Sequence, residues 1–286
     1  MSAKAPNALL ESFSLRSIDR RSPCGDGELV WREWGSGNIS KRPLILLHGG
    51  FGSWNHWVRT IPALESEFRV LAVDLPGCGD SADPPKPYDA ASLVEILSSG
   101  LDLILPGEIT FDLISFSFGG VLSGLLAQAQ SRRIRSLTLI GSPILGLTGS
   151  GPANELVEIS RDLSIDKAIP LYRHNLQKLM IYNPDVVDDL ALTIQINNMA
   201  KARLRSRGIA RTSVLADSLR NLPCSLNCIF GDKDTTLDPH LAGIQAYVKE
   251  IHPDASFHVI PDAGHWVHFE AWEQVNLLLP EILNTN

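Results

Sequence analysis

Hydrophobic residues in this chain are concentrated in short runs with little polar interruption, separated by longer stretches with helical spacing. A run that is apolar on both alternating faces is typical of a strand in a parallel sheet, because helices cover both sides of such a sheet. Strand-like runs start at Pro43, Phe68, Phe111, Arg135, Ser225 and Ser256. Segments with helical spacing, such as Asp89–Leu105, lie between them. This alternation predicts an α/β fold with a mostly parallel central sheet flanked by helices.

The segment before the first apolar run predicts antiparallel pairing. Residues near Glu11–Ile18 and Gly27–Trp34 have strand character, and a turn rich in Pro, Gly and Asp joins them. Strands connected by so short a turn pair antiparallel. We therefore predict two antiparallel strands in this region.

A helical block interrupts the alternation between Leu145 and Asp217. It contains no strand-like run, and its helical segments include Leu171–Tyr182 and Asp185–Arg207. The strand pattern resumes at Ser225. We predict that residues 1–144 and 218–286 form the core domain and that residues 145–217 form an inserted helical lid.

Composition and charge indicate which kinds of binding partner to expect for this chain. The net charge is −7 and there is no long basic run, which argues against nucleic acid and anionic membranes. No apolar stretch has the length of a signal peptide or a membrane span, so a cytoplasmic location is expected. A small molecule is the expected partner, and a homodimer is left open. Of the four cysteines, Cys24, Cys78, Cys224 and Cys228, the last two could suggest a metal pair. No second Cys or His pair has zinc-type spacing, and Cys224 and Cys228 flank and enter an apolar strand, so these two are expected to be buried, reduced thiols.

A candidate nucleophile, Ser117, follows the apolar run that starts at Phe111. The chain continues directly into a second apolar segment of helical type, so there is room only for a sharp turn at Ser117. A hydroxyl on such a turn projects from the sheet at the positive end of a helix. The turn requires small residues two positions before and after the nucleophile. Gly119 supplies one, and Ser115 stands where glycine is usual.

A serine nucleophile needs a base, and the base needs an acid to orient it. Candidates should follow the carboxyl ends of strands, where an open α/β sheet binds its ligands. Asp234 follows the strand that ends at Phe230, and His265 follows the strand that ends at Ile260. Asp232 is an alternative acid in the same loop. The chain order Ser117, Asp234, His265 is consistent with a catalytic triad.

Together these segments resemble the α/β-hydrolase fold superfamily over nearly the whole chain. The resemblance rests on five segments, which are His48-Gly49-Gly50, the loop from Asp74 to Ser81, the Ser115–Gly120 turn, Gly231-Asp232-Lys233-Asp234 and Gly264-His265-Trp266. It implies the α/β-hydrolase fold with a helical lid and a serine hydrolase that needs no cofactor or metal. It also favours Asp234 over Asp232, because similar hydrolases use the aspartate three residues after the glycine that ends the strand.

The resemblance further implies how the pocket is built. The oxyanion hole is expected to use the backbone N–H groups of Gly50 and Phe118, with Phe51 as the alternative to Gly50. His48 is expected to be structural. The residues expected to contact substrate are Phe51, Trp54, His56, Phe116, Met180 and Trp266.

The bond that is cleaved stays open between two reactions. The leading expectation is hydrolysis of a small carboxylic ester, thioester or lactone through an acyl-enzyme on Ser117. The alternative is hydrolysis of a carbon–carbon bond in a dienone formed by ring cleavage. Enzymes of that type usually carry asparagine where this chain has Phe116, and an arginine near Gln195; Arg203 or Arg205 is expected to substitute in that case. A ligand receptor without turnover is a third hypothesis, from a different class.

Overall fold

Eight strands form one sheet in the described part of the chain. The computed structural model describes residues 4–37, 40–146, 155–160, 162–237 and 240–285. The strands are β1 (Ile18–Cys24), β2 (Gly27–Trp34), β3 (Pro43–Leu47), β4 (Arg69–Val73), β5 (Phe111–Phe116), β6 (Ile134–Ile140), β7 (Ser225–Gly231) and β8 (Ser256–Ile260). Their order is β1-β2-β4-β3-β5-β6-β7-β8. β2 pairs antiparallel with β1 and β4, and every other pairing is parallel, which confirms the predicted mostly parallel sheet.

Helices cover both faces of this sheet. Within the same ranges they are α1 (Lys4–Arg16), α2 (Ile61–Leu64), α3 (Ala90–Ile104), α4 (Phe118–Ala129), α5 (Ile165–Leu179), α6 (Asp189–Lys201), α7 (Arg207–Ala210), α8 (Val214–Leu219), α9 (Leu241–Ile251), α10 (Val267–Glu270) and α11 (Trp272–Thr285). Alternate residues of β3 enter different hydrophobic clusters: Ile45 and Leu47 one, Leu44 and Leu46 the other. The run from Pro43 is therefore apolar at every position because each face meets a separate core.

The first predicted strand, Glu11–Ile18, is wrong. Residues 4–16 are helical, and the strand that pairs with β2 is Ile18–Cys24. Pro6, Leu10 and Phe13 are buried on one face of α1, and the indole of Trp34 donates to the carbonyl of Phe13 at 3.0 Å. Packing against Trp34 thus selects a helix in a segment whose own pattern is weak.

The regular elements in the described part of the segment between β6 and β7 are all helical, and none of its described residues is in a strand. Residues 147–154 and 161 of the predicted 145–217 block lie outside the described residues. Two buried asparagines connect α6 to the core, since Asn198 accepts from Ser53 at 2.8 Å and donates to Asn55 at 2.8 Å. Arg59 forms an ion pair with Asp188, at the start of α6, at 2.7 Å. This part of the chain is thus attached to the carboxyl edge of the sheet at both ends of α6, and its action as a lid stays a prediction.

Candidate active site

Ser117 lies on a strained turn between β5 and α4. Its backbone has φ +50° and ψ −115°, a region that residues other than glycine rarely adopt. The turn is held by a hydrogen bond from the N–H of Ser117 to the carbonyl of Ile140 at 2.9 Å. A Cβ at Gly119 would lie 2.6 Å from the carbonyl oxygen of Leu47, so only glycine allows the helix to begin this close to β3.

Three side chains from separate loops meet here in a hydrogen-bonded chain. The Oγ of Ser117 is 2.9 Å from Nε2 of His265, and Nδ1 of His265 is 2.8 Å from Oδ2 of Asp234. Asp234 and His265 follow the adjacent parallel strands β7 and β8, so both loops open at the edge of the sheet where β5 ends. Because a carboxylate only accepts, Nδ1 carries the proton and Nε2 accepts from the serine hydroxyl.

The second oxygen of Asp234 is held by Thr236, which is absent from the predicted site. Thr236 donates to Oδ1 of Asp234 through its hydroxyl at 2.7 Å and its backbone N–H at 2.9 Å. Its hydroxyl oxygen is also 3.1 Å from Nδ1 of His265. The alternative acid, Asp232, instead pairs with Lys233 at 2.8 Å. The spacing Asp-x-Thr, which favours a local turn, is the signal that could have identified Thr236.

Two backbone N–H groups border Ser117. No described residue accepts a hydrogen bond from the N–H of Gly50 or Phe118. A Cβ at Gly50 would lie 3.6 Å from the Cβ of Phe118, so the two residues are neighbours across the site. His48 holds this loop, donating from Nδ1 to the carbonyl of Gly49 at 2.7 Å and accepting from the N–H of Leu75 at 2.9 Å.

A cavity of about 280 Å³ opens beside Ser117 and His265. Four residues with predicted substrate contact line it, which are Phe51, His56, Phe116 and Met180. Leu176, Leu179 and Met199 from α5 and α6 complete much of its apolar wall. The cavity is thus bounded by the core on one side and by the inserted helices on the other.

The predicted substrate contacts of Trp54 and Trp266 are not supported, because neither residue lines the cavity. Trp54 packs against Trp34 with ring centroids 5.4 Å apart, and its backbone N–H donates to Oδ1 of Asp74 at 2.7 Å. Trp266 is fully buried and stacks on Phe269 at 4.2 Å. Both indoles belong to the packing behind the site.

Two buried imidazoles lie at the cavity wall, His56 lining it and His268 behind it, and both are neutral at neutral pH. Burial lowers the pKa of His56 well below its ordinary 6.5, and it lowers the pKa of His268 to about 3. The His268 ring stacks on Trp57 at 4.4 Å, and the His56 ring lies 5.7 Å from that of Phe116. Neither His56 nor His268 therefore places a positive charge beside His265 at neutral pH.

The arginines in the cavity wall differ from those expected from the sequence, which were Arg203 or Arg205. Gln195 lines it, whereas Arg203 and Arg205 do not. Arg203 instead pairs with Asp83 at 2.6 Å. The arginines that line the cavity are Arg207 and Arg211, which were not among the predicted residues.

Other types of site are not seen in the ranges that the structure describes. No three His, Cys, Asp or Glu side chains among the described residues are grouped so that they could hold a metal ion. The cysteines Cys24, Cys78 and Cys228 are buried, Cys224 is half-buried, and all four are reduced. None of the described helices is both long and apolar enough to cross a membrane.

Comparison with known proteins identifies the family. A model of the alpha/beta hydrolase family matches residues 44–276, which is most of the chain. The chain belongs to the alpha/beta hydrolase family. This confirms the resemblance inferred from the five sequence segments, and it makes the protein a hydrolase.

Proteins that are similar to this chain differ in their activities. A dihydrolipoyllysine-residue acetyltransferase component of an acetoin cleaving system from Pseudomonas putida is 30% identical over 271 residues, covering 90% of this chain and 67% of its own. A 2-hydroxy-6-oxononadienedioate/2-hydroxy-6-oxononatrienedioate hydrolase from Paraburkholderia phymatum is 25% identical over 265 residues, covering 85% and 87%. The structure of naproxen esterase from Bacillus subtilis superposes with a TM-score of 0.78 at 18% identity, covering 98% and 96%.

Proposed function

We propose that this protein is a serine hydrolase that cleaves a small carboxylic ester, thioester or lactone through an acyl-enzyme on Ser117. The observation that carries the proposal is the hydrogen-bonded chain from Ser117 through His265 to Asp234 at the wall of a mostly apolar cavity. In this arrangement the nucleophile, its base and the acid that orients the base are all within hydrogen-bond distance.

The first step is attack of the Ser117 oxygen on the carbonyl carbon. Nε2 of His265 takes the hydroxyl proton as the oxygen–carbon bond forms, and Asp234 stabilises the resulting imidazolium through Nδ1. The tetrahedral intermediate then collapses. The bond to the alcohol breaks, and His265 returns the proton to the leaving oxygen.

The negative charge of the intermediate would be stabilised by the N–H groups of Gly50 and Phe118. Neither N–H donates to a described residue, and Gly50 and Phe118 lie next to each other in space. Preorganised donors of this kind contribute about 3–4 kcal/mol each to transition-state stabilisation. A water that enters after the alcohol leaves is activated by the same His265 and releases the acid.

The inserted helices are proposed to act as a lid that determines which substrates fit. Leu179 and Met180, at the end of α5, and Met199 of α6 face the cavity opposite the core. A volume of about 280 Å³ favours a small substrate, because it is at the lower end of the range for ligand sites. Chain length should therefore limit turnover strongly.

Hydrolysis of a carbon–carbon bond is the second candidate. It is favoured by the similarity to the 2-hydroxy-6-oxononadienedioate hydrolase over 85% of this chain. Phe116, beside the nucleophile, argues against it, since its ring cannot hydrogen-bond a dienol acid. The cavity nevertheless contains polar groups, including Gln195, that could bind such an acid.

The test is turnover of short and medium-chain nitrophenyl esters beside a ring-fission dienol ketone, with the wild type and Ser117→Ala. Ester cleavage that Ser117→Ala abolishes is the expected result. Preferential loss of the dienone absorbance would select the second candidate. Ligand-dependent stabilisation without turnover of either substrate would contradict both and favour a receptor.

A further inference from the structure

The cavity beside Ser117 is positively charged, in a protein whose net charge is −7. Its described lining contains two arginines, Arg207 and Arg211, and no aspartate or glutamate. Both arginines are exposed at the cavity, one at the start of α7 and the other directly after it. A local potential opposite to that of the whole molecule attracts ligands of the opposite charge.

Neither arginine has an acidic partner in the described structure. The guanidinium carbon of Arg207 lies over the ring of Phe51, 5.7 Å from its centroid. Arg211 forms no ion pair with a described carboxylate. Some arginines outside the cavity, by contrast, form ion pairs. Arg59 pairs with Asp188 at 2.7 Å, and Arg203 with Asp83 at 2.6 Å. The guanidinium groups that line the cavity are therefore available to a ligand.

The same segment is fixed close to the reacting atoms. Ser206, directly before α7, is buried, and its hydroxyl oxygen lies 3.0 Å from where a Cβ on Gly50 would be. This hydroxyl has no hydrogen-bond partner among the described residues. Arg207 covers Phe51, the next residue after Gly50. The part of the cavity wall that Arg207 and Arg211 line thus begins beside the loop of Gly50, whose N–H we propose as an oxyanion donor.

We propose that Arg207 and Arg211 bind a carboxylate of the substrate. This inference rests on the proposed function, and it names the substrate class as a small carboxylic ester that carries a second, ionised carboxyl group. Arginine suits this role because its planar fork binds a carboxylate through two parallel hydrogen bonds and keeps its charge at all working pH values. Ser206 offers the same ligand an additional hydroxyl.

The experiment compares three nitrophenyl esters of similar length, which are the hemiadipate, its methyl-capped form and the hexanoate. We expect kcat/KM for the hemiadipate to exceed that of the methyl-capped ester by about tenfold, and added salt to reduce this ratio. Arg207→Gln and Arg211→Gln should each lower the ratio severalfold. Arg205→Gln is the matched control, because Arg205 is exposed on the same segment but does not line the cavity, and it should leave the ratio unchanged.

A second pair of esters tests whether the carboxylate belongs to the alcohol instead, namely 4-acetoxybenzoate and its methyl ester. In each pair the measured quantity is kcat/KM of the charged ester divided by that of its methyl ester. A ratio in either pair that falls in Arg207→Gln and Arg211→Gln supports the inference. Equal turnover of charged and capped esters in both pairs, or ratios that the arginine variants do not change, would overturn it while leaving the hydrolase proposal intact.

Binding to Ser117→Ala separates this inference from the proposed function. We expect the nitrophenyl hemiadipate to raise the melting temperature of Ser117→Ala more than the hexanoate does, and this difference to be lost in Ser117→Ala/Arg207→Gln. That result supports carboxylate recognition even if the wild type turns over neither ester. Absence of both turnover and selective binding contradicts the carboxylate site. Turnover of the neutral esters alone contradicts only the carboxylate site.

Discussion

The hydroxyl of Ser115 donates to the hydroxyl of Ser123 at 3.0 Å, across the turn that carries Ser117. Ser123 in turn donates to the carbonyl of Gly120 at 2.8 Å, and both serines are fully buried. Ser115 stands at the motif position where glycine is usual. Its side chain is accommodated because the facing residue of α4 is also small and supplies a hydrogen-bond partner.

Substitutions at Ser115 should therefore distinguish the effect of side-chain size at this position from the effect of the lost hydrogen bond. We expect Ser115→Gly to keep activity and to lower the free energy of unfolding by about 1–2 kcal/mol, from the lost hydrogen bond and the added backbone freedom. Ser115→Val should cost more and should lower activity, because it would push α4 away from β5. Urea unfolding and nitrophenyl ester turnover check both variants. Lower activity for Ser115→Gly than for Ser115→Val would contradict this account.

Ser117 offers a test of backbone strain that is independent of substrate. Ser117→Ala and Ser117→Gly both remove the nucleophile, so neither should be labelled by a serine-directed phosphonate. Glycine also relieves the φ of +50°. We expect Ser117→Gly to be more stable than Ser117→Ala by about 1 kcal/mol, since the relieved strain exceeds the entropy cost of glycine. Equal urea midpoints would indicate that the turn is not strained, and labelling of either variant would exclude Ser117 as the nucleophile.

The strands and the residues at their ends could be predicted from the sequence because their signals are local. Apolar runs mark β3 to β8, and the motifs after β5, β7 and β8 locate Ser117, Asp234 and His265. The geometry between these residues follows from parallel strands that end at the same edge of a sheet.

Other features depend on contacts between distant parts of the chain and could not be predicted in this way. Helix α1 was missed because its apolar face is narrow and is defined by packing against Trp34. Trp54 was assigned to the cavity from its place in the loop, but its ring turns toward Trp34 and the guanidinium of Arg32. The cavity arginines Arg207 and Arg211 follow from how the inserted segment folds back over Gly50, for which the sequence has no local signal.

Thr236 should act as a positioning residue for Asp234 and His265. Its hydroxyl contacts both side chains, at 2.7 Å and 3.1 Å. Thr236→Val keeps the shape but removes the hydroxyl, and we expect about a tenfold lower kcat, consistent with one lost hydrogen bond to a charged group. Thr236→Ser, the matched control, should retain most activity. The pH profile of kcat should shift in the valine variant alone, and an unchanged profile with unchanged kcat would contradict the role.

His268 should make the folded state sensitive to acid. Its pKa is lowered by burial from 6.5 to about 3, so below pH 6.5 the unfolded chain binds a proton that the folded chain excludes. Stability contributed by the neutral imidazole is complete above pH 6.5 and is lost as the pH falls toward 3. We expect His268→Gln to reduce the slope of unfolding free energy against pH in this window by up to about 1.4 kcal/mol per unit. Urea titrations between pH 4.5 and 8 measure it, and parallel slopes would contradict a neutral buried His268.

Glu270 connects the loop that carries His265 to the inserted segment. Its carboxylate accepts hydrogen bonds from the N–H of Gly264 at 2.7 Å, Tyr182 at 3.0 Å and Asn183 at 2.6 Å. The N–H of Trp266 also donates to the carbonyl of Met180 at 2.7 Å. Both neighbours of His265 are thus attached to residues 180–183, and Met180 itself lines the cavity.

Removing the charge of Glu270 should therefore disturb the base and the cavity wall together. An amide can accept with its oxygen alone, so Glu270→Gln should leave at least one of the three N–H groups without an acceptor. We expect a loss of about 1–3 kcal/mol in stability and about a tenfold lower rate of phosphonate labelling at Ser117. Glu273→Gln, an exposed acid on α11, is the control and should change neither. A Glu270→Gln protein that is less stable but is labelled at the wild-type rate would show that the carboxylate supports the fold without positioning His265, because labelling depends on the base and not on global stability.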